Sequence, residues 1–189
     1  MSDSHDKSEI LIVLDLDETL IHATEQQLDL SEDFRVDSYF IYKRPGLNTF
    51  LSELHKHYRL AIWSSAGDEY VNEVVKSIQP HDVQFEMVWA RSKCTQRRDF
   101  DLDCYYWEKR LDKLKKKGFK LEKILIVDDS PEKSRNNYGN AIYILPFTGS
   151  AHDSELDLLL SYLLTLKQTA NVRTFEKRNW KREKGPSAL

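Results

Sequence analysis

Two stretches of this 189-residue chain run from apolar residues straight into acids. In EILIVLDLDETLIHA, residues 9–23, the run Ile10 to Leu14 ends at Asp15 and Asp17; in EKILIVDDSPEK, residues 122–133, a similar run ends at Asp128 and Asp129. Carboxylates at the tip of a buried strand are costly unless something pairs with them. Three or four at one edge repel each other, and a hard cation resolves the repulsion. Mg²⁺ takes carboxylate, carbonyl and water oxygens, usually one or two protein carboxylates together with a substrate phosphate. A strand-end Asp in such a site is a competent nucleophile for phosphoryl transfer, forming an aspartyl phosphate. A second Asp two residues on can turn back toward the same pocket. With a raised pKa it can protonate the leaving oxygen and later activate water. Asp15 and Asp17 fit these two roles. The phosphate oxygens then need hydroxylic or positive groups, because this chemistry is mostly charge stabilisation; Ser64 (or its neighbour Ser65) and one lysine would serve.

These residues act together only if the fold gathers them. Continuous Ile/Leu/Val runs such as ILIVL and ILIV suit strands buried on both faces, as in a parallel sheet. Further strands are expected at Arg59 to Trp63, Phe85 to Trp89 and Ala141 to Leu145. Helices fall between them. RPGLNTFLSELHKH opens with Pro45 and sets Leu47, Phe50, Leu51 and Leu54 at helical spacing, and GDEYVNEVVKSI begins with Asp68 as N-cap. The spacing of Trp107, Leu111 and Leu114 in CYYWEKRLDKLKKKG predicts a helix ending at Gly118, and HDSELDLLLSYLLTLKQ reads as an amphipathic helix late in the chain. Residues 24–44 suggest a short hairpin, and residues 90–104 a polar loop or small insertion. Strands alternating with helices imply an α/β fold, a parallel sheet with helices on both faces. Ligands of such sheets bind beyond the carboxyl ends of the strands, where Asp15, Asp17, Ser64, Asp128 and Asp129 all lie.

The composition is that of a folded protein, 40% hydrophobic and 31% charged, and the net charge of −3 offers no basic field for nucleic acid. Cys94 and Cys104 are too few for a disulfide scaffold and lack zinc spacing. No apolar run approaches a membrane span, and MSDSHDKSE, residues 1–9, lacks the apolar core of a signal peptide, so a cytoplasmic setting is expected, with the nucleus as the alternative in a eukaryotic host. Three segments are expected: a flexible start at 1–8, one domain over 9–172, and a basic tail at 173–189.

DLDET matches the D-x-D-x-T signature of the haloacid dehalogenase (HAD) superfamily. LDLDETLIH, KRPGLNTFL, LAIWSSA and ILIVDDSPEKSRNNYGNAIYI, in that order, resemble more narrowly the FCP/SCP phosphatases, whose NLI-interacting-factor domain acts on the C-terminal domain of RNA polymerase II in eukaryotes. The resemblance covers about Ile10 to Val172, and the SPEKSRNNYGNAI and NVRTFEKRNW segments look more like prokaryotic members. It implies a HAD-like Rossmannoid fold, with Asp15 as nucleophile and Asp17 as general acid/base. Thr19 would support the motif loop within the phosphate-binding set, Ser64 would hold the phosphate, and Lys109 would be the phosphate-binding lysine, with Lys93, Lys113 and Lys115 as substitutes. Mg²⁺ would sit between Asp15, the backbone carbonyl of Asp17, and Asp128, with Asp129 orienting a metal-bound water. Arg91 lies where relatives use an arginine near a second substrate phosphate. ILIVDDSP also looks like the first strand of a response-regulator receiver, but too little chain follows Asp129 for that fold.

Between Asp17 and Arg44 there is room for a hairpin but not for a large cap domain, and the interval from Ser64 to Lys109 leaves only a small insertion. An open site suits phosphoserine or phosphothreonine in a protein or peptide better than a free sugar phosphate. Two other functions stay in view: a phosphatase of nucleic-acid ends or small phosphomonoesters, and a non-catalytic binding module. The intact DLDET weighs against the module, and the acidic net charge against nucleic acid. Oligomeric state and physiological substrate are not legible.

Overall fold

The computed structural model describes residues 9–99 and 103–182; the expected flexible start and the last residues of the basic tail lie outside that range. Five parallel strands form the central sheet: β1 (Leu11–Leu14), β5 (Arg59–Trp63), β6 (Phe85–Trp89), β9 (Ile124–Asp128) and β10 (Ala141–Tyr143), in the order β10-β9-β1-β5-β6. Leu14 pairs with Ile62 on one side and Val127 on the other. Every residue of β1 and β9 is buried, as continuous apolar runs require.

Successive side chains alternate across this sheet. Ile12 and Leu14 join one core with α1 (Leu47–His57), α2 (Asp68–Ile78) and α4 (Glu155–Thr165), which bury Leu51, Val74 and Leu159 there. Leu11 and Val13 join a second core with Ala61, Trp63, Ile126, Leu111 and Leu114, beneath the short α3 (Asp112–Lys115). The α/β reading therefore holds. The first half of the sheet keeps its helices on one face, and the crossover from β6 to β9 takes the other.

Two small sheets are added. β2 (Ile21–Thr24), β3 (Phe34–Val36) and β4 (Tyr39–Lys43) form an antiparallel sheet in the order β2-β4-β3, one strand more than the expected hairpin. β7 (Thr95–Asp99) and β8 (Cys104–Glu108) form an antiparallel arm, with Gln96 opposite Trp107 and Arg98 opposite Tyr105.

Two expectations are corrected here. The helix expected from Cys104 to Gly118 is instead β8 followed by the one-turn α3. Tyr105, Tyr106 and Trp107 favour a strand, and of the expected stripe only Leu114 is in the helical turn, with Leu111 at its N-cap. Asp68 is the first helical residue and Gly67 the N-cap; the Asp68 carboxylate accepts from Ser92 Oγ at 2.6 Å instead. Past the boundary drawn at residue 172, Phe175 and Trp180 are buried against the domain, and Trp180 Nε1 donates to the Tyr143 carbonyl at 2.8 Å.

Candidate active site

β1 lies at the centre of the sheet, and the chain leaves it toward β5 on one side and returns to β9 on the other. That reversal opens a crevice at the carboxyl ends of the strands. Asp15 follows β1 and its N–H donates to the Val127 carbonyl at 2.9 Å; Asp128 ends β9; Ser64 follows β5 and its N–H donates to the Trp89 carbonyl at 2.9 Å. All three are buried. Asp17 stands in a tight loop in which the Leu16 carbonyl accepts from the N–H groups of Thr19, Leu20 and Ile21. Glu18 takes a left-handed φ of 56° there. Arg44, 1% exposed, clamps the loop: Nη1 donates to the Thr19 carbonyl at 3.0 Å, and Nε and Nη2 each reach Asp153 at 2.8 Å.

Two ammonium groups compensate the acids. Lys109, fully buried, sits 2.6 Å from Asp15 Oδ1 and 2.7 Å from Asp128 Oδ2. Lys133 Nζ lies 3.2 Å from Asp15 Oδ2, 4.0 Å from Asp128 Oδ1 and 3.8 Å from Asp129 Oδ1. The two lysines are tied through the backbone, since the Lys109 N–H donates to the Lys133 carbonyl at 2.7 Å. Burial alone would raise the Asp15 pKa, but the two lysines outweigh it and hold this carboxyl below the usual carboxylate range. Asp128 goes the other way: burial, with Asp15 beside it, pushes it up to about 7. Burial disfavours the charge on Lys109, yet Asp128 and Asp15 raise its pKa and keep it an ammonium.

Asp17 has a different environment. Tyr70 donates its hydroxyl to Oδ1 at 2.7 Å and Ser64 Oγ donates to Oδ2 at 3.2 Å. Burial raises the Asp17 pKa and the Asp15 charge adds to it, against the lowering by Tyr70 and Ser64. Two carboxyl groups two residues apart are thus pushed in opposite directions, which suits Asp15 for attack and Asp17 for carrying a proton. Beside Asp17 a cleft of about 320 Å³ is lined by Glu18, Tyr39, Ala66, Tyr70 and Arg91, open to solvent at the protein surface.

The crevice gathers Asp15, Asp17, Ser64, Lys109, Asp128 and Asp129, with Arg91 at the rim, where its Nε donates to the Ser65 carbonyl at 2.8 Å. Lys113 is occupied elsewhere, by the Lys93 and Cys94 carbonyls at 2.6 and 3.1 Å. Thr19 is buried beneath the motif loop, away from the cleft lining, and its hydroxyl has no hydrogen-bond partner among the described residues. Sequence reasoning missed Lys133, Tyr70 and Arg44. The SPEK turn after Asp129 was the available signal for Lys133; nothing local marks Tyr70 or Arg44, whose partners are distant in sequence.

One oxygen each from Asp15, Asp128 and Asp129 lie within 4.8 Å of one another. An all-carboxylate set with two members buried fits a hard divalent cation, with its demand for oxygen donors.

The family model described as "NLI interacting factor-like phosphatase" matches residues 10–173. Among curated proteins the chain is similar to "Nuclear envelope morphology protein 1" of Saccharomyces cerevisiae, 28% identical, covering 86% of this chain and 40% of that protein. It is also similar to "CTD nuclear envelope phosphatase 1" of Xenopus laevis, 27% identical, covering 89% of this chain and 72% of that protein. Among solved structures it resembles a variant of the fission yeast RNA polymerase II CTD phosphatase Fcp1 bound to beryllium fluoride, with a TM-score of 0.57, 20% identity, and coverage of 77% of this chain and 44% of that one. The chain thus spans well under half the length of the yeast relative. The chain belongs to the NLI interacting factor-like phosphatase family, on a HAD-like α/β fold.

Proposed function

We propose that this member of the family is a Mg²⁺-dependent phosphoric monoester hydrolase that acts through an aspartyl phosphate on phosphoserine or phosphothreonine in a protein or peptide. The observation that carries the reading is the opposite treatment of two neighbouring acids: Asp15 held ionised by Lys109 and Lys133, Asp17 held proton-competent by burial.

In the first step an Asp15 carboxylate oxygen attacks phosphorus and the bond to the leaving serine or threonine oxygen breaks, while the Asp17 proton passes to that oxygen. In the second step Asp17, now a carboxylate, takes a proton from water as the water oxygen attacks phosphorus. The acyl phosphate bond breaks, Asp15 is regenerated and inorganic phosphate leaves. Lys109 neutralises the oxygen of Asp15 it touches and, as the buried ammonium beside the nucleophile, would offset the charge that gathers there. Ser64 and Tyr70 hold Asp17 in place. Asp15, Asp128 and Asp129, together with the Asp17 carbonyl, would hold Mg²⁺. The ion would supply charge neutralisation for the phosphoryl group.

The cleft supports a protein substrate, since it is a surface groove walled by Tyr39 and Tyr70, with Arg91 and the acids Glu18 and Asp37 along it, rather than a closed chamber. The names of the relatives support the same substrate class. No described helix is long and apolar enough to cross a membrane, and a cytoplasmic or nuclear setting is part of the proposal. Side-by-side turnover of phosphopeptides, nucleic-acid ends and small phosphoesters, with Mg²⁺ and with EDTA, tests it. Metal-dependent turnover that favours phosphopeptides is expected. Preference for a nucleic-acid end or a small ester would overturn the substrate, and silence on the whole panel would move the chain to the binding-module reading.

A further inference from the structure

Lys133 does no chemistry in the steps above, yet its ammonium lies within 4.0 Å of three carboxylates. Its ammonium faces Asp15 Oδ2, Asp128 Oδ1 and Asp129 Oδ1 at 3.2, 4.0 and 3.8 Å. These three residues are the ones whose carboxylate oxygens come close enough together to hold a metal ion. Lys109 takes the opposite oxygens, Asp15 Oδ1 and Asp128 Oδ2. The two lysines therefore divide the carboxylates by face. Lys109 is sealed on the inner face at 0% side-chain exposure; Lys133 is on the outer face at 19%.

Their supports differ as well. Lys133 stands on a 3₁₀ segment, Pro131–Asn140, that is interrupted by non-helical backbone at Ser134 and Asn137. Its four-carbon stem has many rotamers and reaches solvent in a short swing. A divalent cation bound to the outer oxygens would lie within a few ångströms of this ammonium, and two positive charges cannot share that space without strong repulsion.

We propose that Lys133 is a built-in competitor of the divalent metal: its ammonium holds the outer faces of Asp15, Asp128 and Asp129 until the ion enters, and must swing away for the ion to bind. The proposal rests on the metal reading above. It makes resting metal affinity weaker than three carboxylates alone would give. It also keeps the acids compensated when the ion leaves. The alternative is a fixed strut: a lysine that only orients the acids would, when removed, weaken metal binding.

The test is calorimetric titration of Mg²⁺ alone into the full chain, stripped with EDTA and without substrate, for wild type, Lys133→Met and Lys133→Arg. Lys133→Met should bind Mg²⁺ at least tenfold more tightly than wild type, and Lys133→Arg, which keeps the charge, should stay near wild type. In thermal melts Lys133→Met should melt below wild type in EDTA and gain more from added Mg²⁺. Equal or weaker Mg²⁺ binding by Lys133→Met would overturn the proposal while leaving the metal reading intact. Absence of Mg²⁺ binding by wild type would remove that reading and this proposal with it. Should Lys133→Met not fold without metal, Lys133→Gln takes its place in the titration, where tighter Mg²⁺ binding supports the competitor and equal or weaker binding overturns it.

Discussion

Asp15 and Asp128 stand at the ends of adjacent parallel strands whose residues are buried throughout, so ladder hydrogen bonds and two packed cores fix their backbone. Lys109 and Lys133, their partners, come from different material. Lys109 follows the β7–β8 arm, much of whose surface is exposed, and Lys133 stands in a 3₁₀ segment. Within the arm Arg97 Nε donates to the buried Glu108 at 2.9 Å, and the arm is joined to that segment where Asn136 donates to the same carboxylate and Arg135 stacks over the Tyr106 ring at 4.9 Å. The anionic half of the site is thus rigid by topology, and the cationic half is held by charge pairs. Of the two cations, Lys133 is partly exposed on an interrupted 3₁₀ segment, whereas Lys109 is sealed between Asp15 and Asp128.

The sharpest way to break this contrast is to remove the inner cation. Lys109→Met leaves Asp15 and Asp128 buried with Lys133 as their remaining ammonium partner, and breaking a buried pair costs about 3–5 kcal/mol. Chemical denaturation should show a loss of that order together with loss of turnover; unaltered stability would mean that the strand ends tolerate their charges unaided. On the anionic side, Arg44→Met removes the clamp on the loop carrying Asp17. It leaves the buried Thr19 carbonyl without this donor, at about 1–3 kcal/mol for an unsatisfied buried group. Turnover should fall with Asp15 still in place, and a variant with full turnover would show that the loop holds its shape without Arg44.

Tyr70→Phe probes the proton carrier more gently. Losing a hydrogen bond to a charged group costs about 1.5–3 kcal/mol, so kcat should fall by roughly tenfold or more with KM little changed. The sign of the pH effect follows from the bond. The Tyr70 hydroxyl stabilises the ionised form of Asp17, so its removal raises the Asp17 pKa further and moves the corresponding limb of the kcat–pH profile to higher pH. A shift to lower pH would contradict the geometry. Smallest of all, Arg98→Ala breaks an exposed pair with Asp103, and stability should change by less than about 1 kcal/mol with turnover intact.

The same contrast explains what the sequence made legible. Apolar runs ending in acids announce strands buried on both faces, and the parallel topology then brings Asp15, Ser64 and Asp128 to one edge. The arm carried no such signal. Trp107, Leu111 and Leu114 imitate a helical stripe, although Trp107 is on a strand and the two leucines on a turn. Lys109 therefore reaches the site from the end of a strand, not from a helix face. Lys133, Tyr70 and Arg44 act through partners far along the chain. Their types are ordinary for a turn, a helix and a strand end, so only the folded structure singles them out.

The most direct test of the two-carboxyl mechanism is acid quenching of Asp17→Asn during reaction with p-nitrophenyl phosphate radiolabelled in the phosphate. That leaving group departs without a proton, so the first step should proceed while the second stalls for want of a base. Protein-bound label that hydroxylamine releases is expected, mapped to Asp15 and absent from the Asp15→Asn variant. Label on another residue, or none while p-nitrophenol is released by Asp17→Asn, would contradict the mechanism.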